Sequence, residues 1–151
     1  MKQEYGASLV EIVGVLAIAG LISGAAIGMY NVIRNNQMRK IASVELEQIA
    51  KDTRMLMEMR GDYTGVSVEY LVSAGALTNN HAPIGGDDWS VSAIDGGAGF
   101  SINLTALTQG ECDYFAATPV KWATRVLING FETNAANCFK TDTNMVSFIV
   151  E

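Results

Sequence analysis

Several features that would carry chemistry or bind a polyanion are missing from this 151-residue chain. Ten basic residues face sixteen acidic ones, the net charge is −6, and no long stretch gathers the basic residues. Nucleic-acid binding depends on a basic surface, so we expect no nucleic-acid partner. The sequence also lacks a phosphate-binding P-loop, a serine-nucleophile elbow and a HExxH zinc motif. It therefore predicts neither an enzyme nor a cofactor.

Histidine and cysteine are scarce as well. The single histidine, His81, has no neighbours at a typical metal-ligand spacing, so we interpret it as a loop residue and predict no metal site. The two cysteines, Cys112 and Cys138, do not form the CxxC pair of a redox motif or zinc knuckle. In an exported chain they would form one disulfide, and in a cytosolic chain they would stay two buried thiols. The apolar N-terminus described next favours export.

The chain also has a long segment without charge: none of the 22 residues of 12–33 is charged. At about 1.5 Å per residue they form a helix of about 33 Å, enough to cross a hydrocarbon core of about 30 Å. A cleaved secretory signal has an apolar region of only about 7–15 residues, followed by a small-residue cleavage site. Residues 30–34, Tyr-Asn-Val-Ile-Arg, offer no such site. We therefore expect the segment to remain on the protein as a transmembrane helix.

A carboxylate, Glu11, stands directly before this segment. An ionised carboxylate near a bilayer centre costs at least about 2.5–3.5 kcal/mol, so a passive anchor would do better without it. One interpretation is local: Ser8 and Glu11 have the spacing of a capping box that begins a helix, with the carboxylate near the positive end of the helix dipole. That interpretation leaves Gly6 and the short polar leader of residues 1–6 unexplained.

Together these features resemble the N-terminus of a type IV prepilin: Gly6, then Ala7, then Glu11 as the fifth residue after the glycine, then an unbroken apolar helix. The resemblance implies that a prepilin peptidase cuts between Gly6 and Ala7 and that the new N-terminus is N-methylated. It also implies that Glu11 pairs with the amino terminus of a neighbouring subunit. The subunit would wait in the inner membrane until the pilus assembly machinery adds it to an extracellular filament.

Apolar residues continue at helical spacing beyond the membrane segment, and no glycine or proline interrupts 29–60. Gly61 and Asp62 supply a stop signal. The pattern predicts one long helix over 7–60 and a separate C-terminal head over 61–151. We interpret Met55, Met57 and Met59 as core packing rather than a binding groove.

The head is rich in glycine, serine, threonine and asparagine, which together with its short strand and helix patterns predicts a compact α+β domain. The expected elements are a short helix at 68–73, strands at 89–94 and 100–104 around a glycine-rich hairpin loop at 96–99, a helix from a capping box at Thr108 and Glu111 to about 117, a strand at 125–128 entering a turn at 129–130, and a last strand at 145–150. The order of "GGDDWSVS", "LTQGEC" and "VLING" is similar to that in type IVb pilins. The resemblance thus implies the pilin fold, a long helix packed against an antiparallel sheet.

These observations favour a structural protein, the repeating subunit of a type IVb-like pilus that serves adhesion, aggregation or motility. A minor pilin or a type II secretion pseudopilin would share the same N-terminus. A membrane-anchored periplasmic binding module is the alternative from another class, but a simple tether has no need of Glu11.

Three glycines, Gly20, Gly24 and Gly28, fall four residues apart and so share one face of the expected membrane helix. Such a stripe is typical of helices that pack closely in a membrane. The pilin resemblance gives a second interpretation, in which this stretch loses helical hydrogen bonds inside the filament.

Overall fold

The computed structural model describes the backbone of residues 2–132 and 138–151, and side chains from Ser8 onward within those ranges. Its elements are α1 (Lys2–Glu58), α2 (Val68–Ser73), β1 (Ser90–Ile94), β2 (Gly99–Leu107), α3 (Gln109–Ala117), β3 (Arg125–Ile128), β4 (Phe131–Glu132) and β5 (Asn144–Val150), with a 3-10 turn at Asp95–Gly97. The chain forms two compact units, Met1–Met38 and Arg39–Glu151. The α+β class is therefore confirmed.

The first unit consists of helix α1 alone over its described residues, and it corrects one prediction. Because α1 begins at Lys2, Ser8 lies inside the helix and does not cap its start. The capping-box interpretation of Ser8 and Glu11 is therefore wrong. The leader residues Lys2, Gln3 and Glu4 all favour helix, and no proline intervenes, so nothing in the sequence stops the helix from extending over them.

The second unit is built on a five-stranded antiparallel sheet in the order β1-β2-β5-β3-β4. The C-terminal part of α1 and helix α3 contribute to the same apolar cluster as the inward side chains of the sheet. The largest completely buried side chains of this core are Phe100, Phe148, Leu46, Met57, Leu71, Ile102, Leu104, Leu107, Ile128 and Val146. At about 1.5–3 kcal/mol for each large apolar side chain, this burial is the main term that holds the head together.

The three methionines near the end of α1 separate in the structure. Met57 is completely buried, whereas Met55 and Met59 are 67% and 84% exposed. Core packing is therefore right for Met57 and wrong for the other two. Side chains two residues apart point to nearly opposite sides of a helix, so these three could not all face one core.

The predicted head elements are present, with ends shifted by at most a few residues. Both bonds of the second capping box are made: the backbone N–H of Glu111 donates to Thr108 Oγ1 (3.2 Å), and the backbone N–H of Thr108 donates to Glu111 Oε2 (3.1 Å). The turn between β3 and β4 places Asn129 and Gly130 at φ of 50° and 88°. Consecutive positive φ values are the signature of the tight hairpin turn that an Asn-Gly pair predicts.

Candidate functional site

The apolar part of α1 is the first feature with functional meaning. By length and composition, α1 is the one helix in the described part of the chain that could cross a membrane, and none of its most apolar 18-residue window is buried. Its large side chains from Leu9 to Ile33 are 50–76% exposed. Soluble proteins rarely leave so much contiguous apolar surface in water. This segment therefore calls for lipid or other helices around it.

Glu11 lies in α1 immediately before the uncharged segment, and it is exposed. It makes no hydrogen bond or ion pair with any other side chain that the structure describes. A helix that enters an apolar phase thus carries a carboxylate for which the described chain supplies no counter-charge. Entering an apolar phase is therefore costly for this carboxylate in its ionised form.

The predicted processing residues, Gly6 and Ala7, lie in the helical backbone of α1, and the side chain of Ala7 lies outside the described residues. Gly20, Gly24 and Gly28 lie further along the same unbroken helix. A Cβ built on any of these three would meet nothing within 4 Å. Among the described residues, no contact inside the single chain therefore explains why glycine occupies these positions.

The second feature is the cross-link in the head. Cys112 of α3 is bonded to Cys138, with 5.9 Å between the two Cα atoms and 26 positions between them in sequence. Cys112 is completely buried in the core. The disulfide expected of an exported chain is confirmed, and free thiols are excluded. Persistent disulfides are typical of oxidising compartments outside the cytosol.

The head contains a buried polar residue that no sequence pattern predicts. Asn144, at the start of β5, is completely buried, and its side chain makes five hydrogen bonds of 2.6–3.2 Å with surrounding loops. The expected last strand began one residue later, at Met145. A single asparagine beside a strand gives no periodic signal, so no pattern in the sequence could have identified it.

The described polar surface carries few charged clusters. In the described part of the chain, no group of three or more His, Cys, Asp or Glu side chains could hold a metal ion. His81 Nδ1 lies 3.3 Å from Asp87 Oδ1, but both side chains are about 70% exposed, so the pair is worth little. At the C-terminal end of the sheet, the Glu151 carboxylate holds Arg125 at 2.7 Å and raises the pKa of that guanidinium above its usual value.

Searches of family models, of curated proteins and of solved structures found no match to this chain. The likeness to type IV pilins therefore rests on the residues of the chain itself, and the function is proposed from those residues and from the geometry above.

Proposed function

We propose that this chain is the structural subunit of a type IV pilus, IVb-like, that polymerises on the bacterial surface and supports adhesion, aggregation or motility. One observation carries the proposal: Glu11 stands directly before 22 uncharged residues whose helix is uncovered in the single chain. Lipid satisfies the apolar side chains but not the carboxylate. Other copies of the same helix would satisfy both.

The chemistry of the cut explains the partner of Glu11. Cleavage after Gly6 creates a positively charged amino group at Ala7, four residues before Glu11. In a bundle of parallel helices, that amine on one copy can lie against the carboxylate of the next. In a low-dielectric core the attraction between two such charges is much stronger than in water, and an unpaired charge there is heavily penalised. The pair therefore selects one register between subunits.

The head supports the same proposal. A buried apolar core and a disulfide give it stability of the kind that a domain needs outside the cell. A type II secretion pseudopilin would share α1 and its carboxylate. The disulfide favours the pilus, because the head of a filament exposed outside the cell needs the stability that a cross-link adds. A monomeric periplasmic tether would explain α1 and the disulfide but not Glu11.

The test is to shear filaments from the cell surface, image them by electron microscopy and measure the intact mass of their subunit. We expect filaments whose subunit begins at a methylated Ala7 and retains the disulfide. A substitution that blocks the peptidase, Gly6→Val, should leave uncut chain in the membrane and no filaments. Assembled filaments whose subunit still carries residues 1–6 would refute the proposal. Correct processing without surface filaments would favour the pseudopilin.

A further inference from the structure

The outward side of the head half of α1 carries apolar side chains that the chain itself leaves in water. Ile41, Val44 and Met55 of α1 and Met59, which directly follows its last residue, are 61%, 68%, 67% and 84% exposed. The opposite side of the same helix segment is buried in the head and includes Ala42, Leu46, Ile49, Ala50, Thr53 and Met57. The outer side of a helix on a soluble head is ordinarily polar. Its apolar side chains therefore mark a contact surface.

This surface has two different parts. The first part is the apolar pair of Ile41 and Val44, which follows Lys40 directly. The second part is a recess of about 290 Å³ that is lined by Asp52, Met55, Leu56, Met59 and residues 74–76. Between the two parts the outward side is polar, and Gln48 there donates a hydrogen bond to Asp52 (2.8 Å). Ile41 and Met55 are 14 positions apart and Val44 and Met59 are 15 apart, which is about 21–22.5 Å along a helix.

We propose that the two parts bind each other between copies of this chain. The copies lie parallel and are shifted by about 21 Å along α1. Ile41 and Val44 of one copy then enter the recess beside Met55 and Met59 of its neighbour. This inference rests on the proposed function and deepens it, because it gives the head half of α1 its own subunit contact.

The charges next to the two parts agree with that shift. At 100° per residue, Lys40 and Asp52 lie on opposite flanks of the apolar stripe, and opposite flanks meet when two parallel helices face each other. Lys40 and Asp52 are 12 residues, or about 18 Å, apart along the helix. A shift of about 21 Å therefore brings Lys40 of one copy within side-chain reach of Asp52 of the next.

Lys40 also has a positive charge that is available for this contact. Lys51, which lies near the stripe as well, is already paired with Glu47 at 2.9 Å. Lys40 makes no ion pair with any described residue. Asp52 accepts its hydrogen bond from a neutral amide, so its charge is not neutralised.

The direction and the shift have physical reasons. Subunits that join one filament in the same orientation lie parallel. A contact between two unlike surfaces that also shifts each copy along the helix axis cannot close into a ring, so it repeats from copy to copy and produces an open filament. An unshifted contact would instead place Ile41 and Val44 of one copy against Ile41 and Val44 of the next, and it would leave the recess empty.

Cysteine cross-linking in the full-length chain distinguishes the two registers. The double variant Val44→Cys/Met59→Cys is expressed in cells that make filaments, oxidised mildly and analysed on a non-reducing gel. We expect a ladder of multimers, since each copy bonds to one neighbour through position 44 and to another through position 59. Neither single variant should cross-link. Dimers from Val44→Cys alone would indicate an unshifted contact and overturn the proposal, as would a double variant that stays monomeric.

Charge exchange tests the same contact without cysteines. Asp52→Lys and Lys40→Asp should each lower the number of filaments about fivefold or more, because each creates a like-charge contact, and the double exchange should restore them. Glu45→Lys makes the same charge change on the same flank, seven residues nearer the membrane segment, and should leave the filament number within about twofold. Equal losses from Glu45→Lys and Asp52→Lys, or a double exchange that restores nothing, would overturn the contact.

The outcome of the cross-linking experiment can be distinguished from the outcome of the test of the proposed function. Wild-type filaments with correct processing but no ladder from the double variant would refute this contact alone. A ladder in membranes from cells that make no filaments would support the contact and refute the pilus.

Discussion

The buried asparagine of the head gives the sharpest prediction about stability. Asn144 Nδ2 donates to the backbone carbonyl oxygens of Leu107 (3.2 Å), Phe139 (3.0 Å) and Thr141 (3.0 Å). Its Oδ1 accepts from the backbone N–H of Phe139 (2.6 Å) and from Nδ2 of Asn129 (3.0 Å). One side chain thus joins the end of β2, the loop after the disulfide and the turn between β3 and β4. The substitution Asn144→Ala removes all of these links together.

The magnitude follows from the number of bonds. A hydrogen bond contributes about 0.5–1.5 kcal/mol net, and a buried polar group left without a partner costs about 1–3 kcal/mol. The two N–H groups of Asn144 are shared among three carbonyl oxygens and its Oδ1 accepts two bonds, so about four full bonds are lost. Partly offset by water entering the loop, they predict a loss of about 3–5 kcal/mol in the free energy of unfolding. Domains of this size have only about 5–15 kcal/mol in total. The matched control is Asn103→Ala, because Asn103 itself is only partly buried and bonds to the hydroxyls of Ser90 and Ser101. Ser101 is buried but keeps its contact with Ser92 (3.1 Å), so we expect a cost of about 1 kcal/mol or less.

Urea denaturation followed by tryptophan fluorescence measures both variants in detergent, since Trp89 is 95% buried in the head. A further variant, Asn144→Asp, keeps the shape but faces carbonyl oxygens with a carboxylate. Its folded-state pKa should rise above the unfolded value of about 3.9. The variant should therefore be most destabilised at neutral pH and regain stability as the pH falls through the folded-state pKa. A loss below about 1 kcal/mol in Asn144→Ala, equal to that of the control, would refute the reasoning.

Three other predictions concern the disulfide, the carboxylate and the glycines. Replacing both Cys112 and Cys138 by serine should lower the free energy of unfolding by about 3.5 kcal/mol, from chain entropy over 26 positions; urea denaturation measures this, and a loss under about 1 kcal/mol would contradict it. Glu11→Ala should stay in the membrane with a folded head but yield few filaments by electron microscopy, whereas Glu45→Ala should assemble normally; normal filament numbers from Glu11→Ala would show that no partner needs the carboxylate. Gly24→Ala should leave the amount of subunit in the membrane unchanged and lower filament yield, and normal yield would exclude both interpretations of the glycine stripe.

Much of the head could be predicted because its signals are local. The capping box at Thr108 and Glu111 and the Asn129–Gly130 turn each follow from a few neighbouring residues. Alternation of apolar and polar residues predicts the strands, although residues 99–102 of β2 and 148–150 of β5 are buried on both faces. The folded chain keeps these local structures because its tertiary contacts stabilise the same conformations.

The rest depended on contacts that no short stretch of sequence contains. Asn144 is buried by loops that come from three separate parts of the chain, so its role exists only after folding. Ser8 has the right neighbour for a cap, but the residues before it also form helix. Met55 and Met59 are the same residue type as the buried Met57. They differ from it only in that their side chains point away from the core. For the candidate site, the residues could be predicted from the sequence. Only the structure shows which of their side chains the rest of the chain leaves exposed.

The glycine stripe shows why an uncovered surface is informative. Each glycine in a helix interior costs about 1 kcal/mol relative to alanine, and α1 nevertheless runs unbroken through Gly20, Gly24 and Gly28. A Cβ at each position would meet only open space, so within the single chain alanine would be the better residue at all three. In lipid alone alanine would be better too, because the helix must keep every backbone hydrogen bond there. The proposed filament supplies the missing advantage, because glycine there permits close helix packing or a backbone that neighbouring subunits shelter when it opens.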